Sequence, residues 1–112
     1  MAWVRIDDNF FSHPKVLQAW WAYPTAIGLW PMTASYAGRQ QTDGVVSADY
    51  VHSLLPARRQ RERATEALVD AGLWLPNGAG WQFHDWTEYN PTRAQTDERK
   101  RVDRERKRTA IR

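Results

Sequence analysis

Between Lys15 and Arg39 the chain carries no charged residue, a run long enough to cross a bilayer if it formed one apolar helix. Its composition argues against that. Pro24, Pro31 and Gly28 interrupt the run, Gln18, Thr25, Thr33 and Ser35 are polar, and Val16, Leu17, Ile27 and Leu29 are its only branched aliphatics. The segment reads instead as two buried helices meeting at a corner. The 112 residues then make one domain, large enough to form a core without crosslinks. There is no cysteine, which excludes a disulfide framework and a thiolate zinc site. Arg5, Asp7 and Asp8 follow Met1 with no apolar run between, so no secretory leader is expected and the expected location is cytoplasmic.

Local signals lay out the elements. The alternation from Trp3 to Ile6 predicts a short strand. Pro14 opens a first helix with Ser12 or His13 as its cap, and Val16, Leu17, Trp20 and Trp21 form its apolar side. A second helix runs from Pro24 or Thr25 to about Gln40, with Ile27, Trp30, Ala34 and Ala37 on one face and a kink expected at Pro31. Thr42, Asp43 and Gly44 form a turn before a very short β segment at Val45 and Val46. Ser47 caps a third helix through Leu55. A fourth helix is expected over residues 56–71, starting at Pro56, with Ala57, Ala64, Ala67, Leu68 and Ala71 inward and Gly72 as its left-handed stop. Two apolar-aromatic runs, 73–76 and 81–86, flank Asn77, Gly78, Ala79 and Gly80, which predicts a β-hairpin. Asn90 and Pro91 start a final segment charged on all sides, a solvated helix or a tail that orders on binding.

The expected fold class is therefore mostly α with a small β-hairpin, α+β. The order helix, tiny strand, helix, helix, hairpin is that of a winged helix-turn-helix. In that arrangement the second helix of the pair fits the major groove, and the hairpin touches adjacent backbone. Residues 1–90 would form this domain and residues 91–112 a basic tail or linker.

Charge is distributed to match. Residues 1–90 hold 7 basic and 9 acidic groups, whereas residues 91–112 hold 9 basic and 4 acidic groups. Asymmetry of this kind points to a polyanionic partner. Within the body, Arg58, Arg59, Arg61 and Arg63 crowd the first turns of the fourth helix together with Gln60. At 100° per residue from Ala64, Arg59 and Arg63 fall on one outward flank, Arg58 on the other, and Arg61 nearer the core. Four cations at a helix N-terminus oppose the macrodipole, an arrangement that phosphate relieves. Arginine suits guanine and glutamine suits adenine, so base readout by this run is chemically reasonable. Against this, Glu62 and Glu66 lie among the arginines, where they could pair with them on an ordinary solvated face and would repel phosphate. The tail residues Arg93, Arg99, Lys100, Arg101 and Arg104 suit phosphate contact, and Asn77 and Trp81 stand at the wing. Arg106, Lys107, Arg108 and Arg112 extend the same basic tail.

The seven tryptophans read mainly as core, with Trp81 beside the wing as the candidate for base stacking. Catalysis finds little support. His13, His52 and His84 lack metal-ligand spacing, no phosphate-cradling glycine loop is present, and Asp7 with Asp8 reads as a capping turn. His84 and Asp85 are expected on opposite faces of a strand. The chain is expected to be no enzyme and to carry no metal or cofactor.

WVRIDDNFFSHPKV at the start, TDGVVSADYV before the third helix, ALVDAGLW at the end of the fourth and FHDWTEYNPTR after the hairpin resemble a family. It comprises small actinobacterial phage and prophage proteins, the N-terminal winged-helix domains of replisome organisers and related initiators. The pieces span most of residues 3–93. The resemblance implies binding to origin or operator DNA, in initiators coupled to recruitment of a helicase or its loader, and a second domain in many members. The expected function is thus sequence-specific binding of double-stranded DNA, for replication initiation in a phage or mobile element or for transcription regulation. Replication or transcription proteins are further expected partners, a membrane is not, and the oligomeric state stays open. A protein-interaction adaptor on the same scaffold is the alternative of another class, and an RNA or single-strand binder the third.

Overall fold

The computed structural model describes residues 3–86 and 93–111. Its helices are α1 (Pro14–Ala22), α2 (Thr25–Gln40), α3 (Ala48–Leu54), α4 (Arg58–Asp70) and α5 (Arg93–Ile111), and its strands β1 (Val45–Val46), β2 (Trp74–Asn77) and β3 (Gly80–Phe83). A 3-10 turn, Phe10–Ser12, precedes α1. The molecule is mostly helical with a small antiparallel sheet, the α+β class expected of it. The strands are ordered β1-β3-β2, with Val46 opposite Trp81 and Trp74 opposite Phe83.

Capping residues set several boundaries. His13 Nδ1 accepts from the Lys15 N–H at 3.1 Å to start α1, and Ser47 Oγ accepts from the Tyr50 N–H at 3.1 Å to start α3. At the end of α4, Gly72 adopts φ +79°. There its N–H donates to Val69 O and the Leu73 N–H to Leu68 O, both at 3.0 Å, the paired bonds that close a helix through a left-handed glycine. The hairpin turn is two residues, Gly78 and Ala79, with positive φ at Gly78 alone. That pattern requires glycine first and matches the twist of the flanking strands. Pro76, which cannot donate to a ladder, sits in the edge strand β2.

The core is built from small residues on the helices and large ones on the sheet. Ala19, Ala26, Ala34, Ala37, Ala64, Ala67 and Ala71 are buried, so helix axes approach closely, while Trp74, Phe83 and Trp86 fill the space beneath. Phe83 meets Trp74 edge-on at 5.8 Å between centroids. α1 runs antiparallel to α4: Lys15 lies over Gly72, Gln18 Nε2 donates to Asp70 O at 3.3 Å, and Tyr23 lies under Arg63.

Several expectations need correction. The Trp3 to Ile6 alternation is not a strand. It runs along α2, with Val4 against Gly38, and pairs with none of the strands. Pro31 lies inside α2 on its exposed side and does not end the helix. α4 begins at Arg58 rather than Pro56, with Ala57 as an exposed cap residue instead of a core position. His84 and Asp85 leave the strand in a turn, where Nδ1 and Oδ2 stand 2.7 Å apart instead of facing opposite ways. Trp3, Trp20 and Trp21 are exposed rather than core. On α1, Leu17, Trp20 and Trp21 lie roughly opposite the side formed by Lys15 and Gln18 that meets α4. The proposed Asn90 and Pro91 start of the last helix lies outside the described residues.

Candidate nucleic-acid interface

α4 buries Ala64, Thr65, Ala67 and Leu68, which turns Arg59, Glu62, Arg63, Glu66 and Asp70 outward. Along that outer face the charge changes sign, cationic in the first turns and acidic in the last. An anion therefore meets attraction only near the N-terminus. Ala57 supplies no side-chain acceptor there, so the positive end of the helix dipole adds to the arginines.

The arginine run divides into different roles. Arg58 Nε donates to Glu62 Oε1 at 2.8 Å, one turn along the helix. This hydrogen bond and the opposite charge hold the Glu62 carboxyl below its usual range and raise Arg58. Arg59 and Gln60 are exposed and make no hydrogen bond or ion pair among the described residues. Arg63 lies over the Tyr23 ring at 6.0 Å from its centroid, a cation–π placement that aims the guanidinium along the α1–α4 seam. Arg61 is turned inward: its Nη1 donates to Leu55 O at 2.9 Å and Pro56 O at 3.0 Å, closing the α3–α4 turn. The outward run is thus Arg58, Arg59, Gln60 and Arg63, with Arg61 a structural tie.

On the hairpin, Asn77 is exposed and pairs with Gly80 at the turn. Trp81 is half-buried, its ring 5.3 Å from that of Trp74, so it is part of the packed sheet rather than an open platform.

The 19 residues of α5 are solvated as expected, with only Thr96 half-buried from Arg93 to Ala110. Within it, Arg101 pairs with Glu105 at 2.7 Å, and Glu98 joins the same guanidinium at 2.6 Å. That binding lowers Glu98 and raises Arg101. Arg101 is thereby neutralised on one flank, while Arg93, Lys100, Arg104 and Lys107 follow a separate stripe within roughly 60° of one another. Arg99 is exposed on another side.

Sequence reasoning missed two residues. Tyr23, the residue that ends α1, supports Arg63 from forty positions earlier in the chain, for which no local signal exists. Asp43, with φ +56°, accepts the Arg93 N–H on Oδ1 at 2.6 Å, and its carbonyl accepts Gln82 Nε2 at 2.9 Å. It joins the β1 turn to β3 and to α5. Asp tolerates this backbone region better than most residues, which is the one available hint.

Among the described residues no group of histidine and acidic side chains is arranged to hold a metal, and no helix is long and apolar enough to cross a membrane. No family model, curated protein or solved structure matches the chain.

Proposed function

We propose that the chain is a winged helix-turn-helix protein that binds double-stranded DNA. α4 enters the major groove by its first two turns, the β2–β3 turn lies against backbone, and α5 follows phosphates. The observation that carries this is the outward set Arg58, Arg59, Gln60 and Arg63 at the uncapped N-terminus of the second helix of the α3–α4 pair. Recognition helices contact base edges mainly from that end. The acidic Glu66 and Asp70 farther along favour a tilted entry over one lying flat in the groove. Sequence-specific binding of this kind serves replication initiation in a phage or mobile element, as in the initiator family the sequence resembles, or transcription regulation, in the cytoplasm.

A titration of labelled duplex across a salt series tests the reading. Log affinity is expected to fall with log salt at about −0.9 per phosphate contact, and the Arg59→Ala, Arg63→Ala double variant to bind more weakly. Absence of duplex binding at low salt overturns it.

A protein-docking adaptor is the second reading. It is favoured by exposed Trp21 and half-exposed Trp20, an apolar surface on the side of α1 away from α4. Binding of a folded partner, lost on Trp21→Ala and unaffected by the α4 double variant, supports it.

A further inference from the structure

Phe10, Trp30, Phe83 and Trp86 form a continuous run of rings, with successive centroids 5.2, 5.6 and 5.2 Å apart. They lie along a cavity of about 130 Å³ where the N-terminal segment, the start of α1, the exit from α4 and the turn after β3 converge. This is roughly ten times the space that one water centre needs, enough for a single ring and too small for a nucleotide.

The polar groups at its rim are unequal. Asp7 Oδ1 accepts the Asn9 N–H at 2.7 Å, Asp85 is paired with His84, and Arg5 is engaged as well. Because His13 Nδ1 accepts the Lys15 N–H, the neutral imidazole carries its proton on Nε2. Lys15 differs from all of these. Its stem lies over Gly72, with Cε and Nζ 3.5 and 3.6 Å from where a side-chain carbon on that glycine would stand. The residue is half-buried, and its ammonium has no hydrogen-bond or ion-pair partner among the described residues. The cavity thus has an aromatic wall, two acids and Arg5 that already have partners, and one cation, Lys15, that has none, a combination that suits an apolar anion placed at the ammonium.

We propose that this cavity binds a small monocarboxylate bearing one aromatic ring. The carboxylate meets the Lys15 ammonium beside His13, and the ring packs on Trp30 and Phe83. The charge-assisted contact supplies specificity for an acid over the matching alcohol, and the size of the cavity limits the ligand to one ring. The site is separate from the outward face of α4 and stands whether or not α4 binds DNA.

Benzoate, benzyl alcohol and sulfate, each titrated into the full-length protein and followed by amide chemical shifts of Lys15, Trp30 and Phe83, test the assignment. Saturable shifts with benzoate are expected at an affinity about tenfold or more tighter than for benzyl alcohol. Lys15→Met is expected to erase that difference, and Lys15→Arg to keep most of it. Lys15→Gln replaces the methionine variant if circular dichroism shows that the latter does not fold. No saturation by ~10 mM benzoate overturns the proposal. So does equal benzoate binding by wild type and the uncharged variant, or a sulfate response at the same amides.

Discussion

Arg61 Nη1 reaches back along the chain to the carbonyl oxygen of Leu55 at 2.9 Å, fastening the start of α4 to the end of α3. Arg61→Ala leaves that carbonyl and that of Pro56 without their charged donor. The expected cost is about 1–2 kcal/mol in urea unfolding, with duplex affinity little changed under conditions where the variant is folded. Arg59→Ala is expected to do the reverse, lowering duplex affinity with no measurable change in stability.

Glu62 holds Arg58 and faces the same solvent as Arg59. Glu62→Gln removes a carboxylate that repels phosphate and frees the Arg58 guanidinium. Duplex affinity is expected to rise about threefold to tenfold at low salt, with the salt dependence steeper by about one contact. Weaker binding by this variant would count against docking through the N-terminal turns of α4.

A side-chain carbon on Gly80 would collide with the backbone carbonyl of Val46 across the β1–β3 pair. Gly80→Ala is therefore expected to destabilise the domain by about 1–3 kcal/mol, because neither strand can retreat without losing its ladder. Chemical denaturation measures this directly. Gly78→Ala introduces no such collision and tests only the positive φ of the turn.

The Asp43 carboxylate accepts a backbone N–H of α5. Asp43→Ala is expected to fray the start of that helix at a cost of about 1 kcal/mol, read as faster amide exchange at Arg93 and its neighbours. Asp43→Asn keeps an acceptor oxygen and is expected to retain most of the protection.

Acid should loosen α5 before it unfolds the core. Arg101 holds Glu98 below its usual value of 4.5, so the contribution of this pair is complete above that pH. It is lost as pH falls through the lower folded value. Helicity of α5, followed by backbone shifts of its residues, is expected to decline as pH falls below 4.5 and to vary little in Glu98→Gln. Glu62 on α4 titrates with the same sign, for the same reason.

The parts legible in the sequence were those decided locally. Ser47, Pro14 and Gly72 announce their helix ends because caps and stops act within a few residues, and the glycine-containing turn announces the hairpin. What eluded the sequence depends on partners elsewhere. The alternation at Trp3 to Ile6 resembles a strand, but no strand pairs with it, and Val4 packs on Gly38 instead. Trp20 and Trp21 look like core residues by composition, yet their side of α1 points away from α4. Helical spacing sets Arg61 nearer the core than Arg59, but its carbonyl partners at Leu55 and Pro56 depend on the path of the backbone before α4. The cation–π support of Arg63 by Tyr23 and the cap given to α5 by Asp43 are likewise products of the folded chain.

In the proposed duplex complex, the solvated last helix sets the length of DNA covered. Nineteen residues of helix extend about 28 Å. Laid parallel to a duplex axis, that rod would span about eight base pairs at 3.4 Å each, nearly a full turn beyond the stretch proposed for α4. Its side chains offer charge without a hydrophobic reading face, so this added stretch would be shielded from nuclease while tolerating any base sequence. The footprint of one molecule would then be lopsided, a short discriminating segment with a longer indifferent flank, and the direction of the flank would report which way the protein sits on its site.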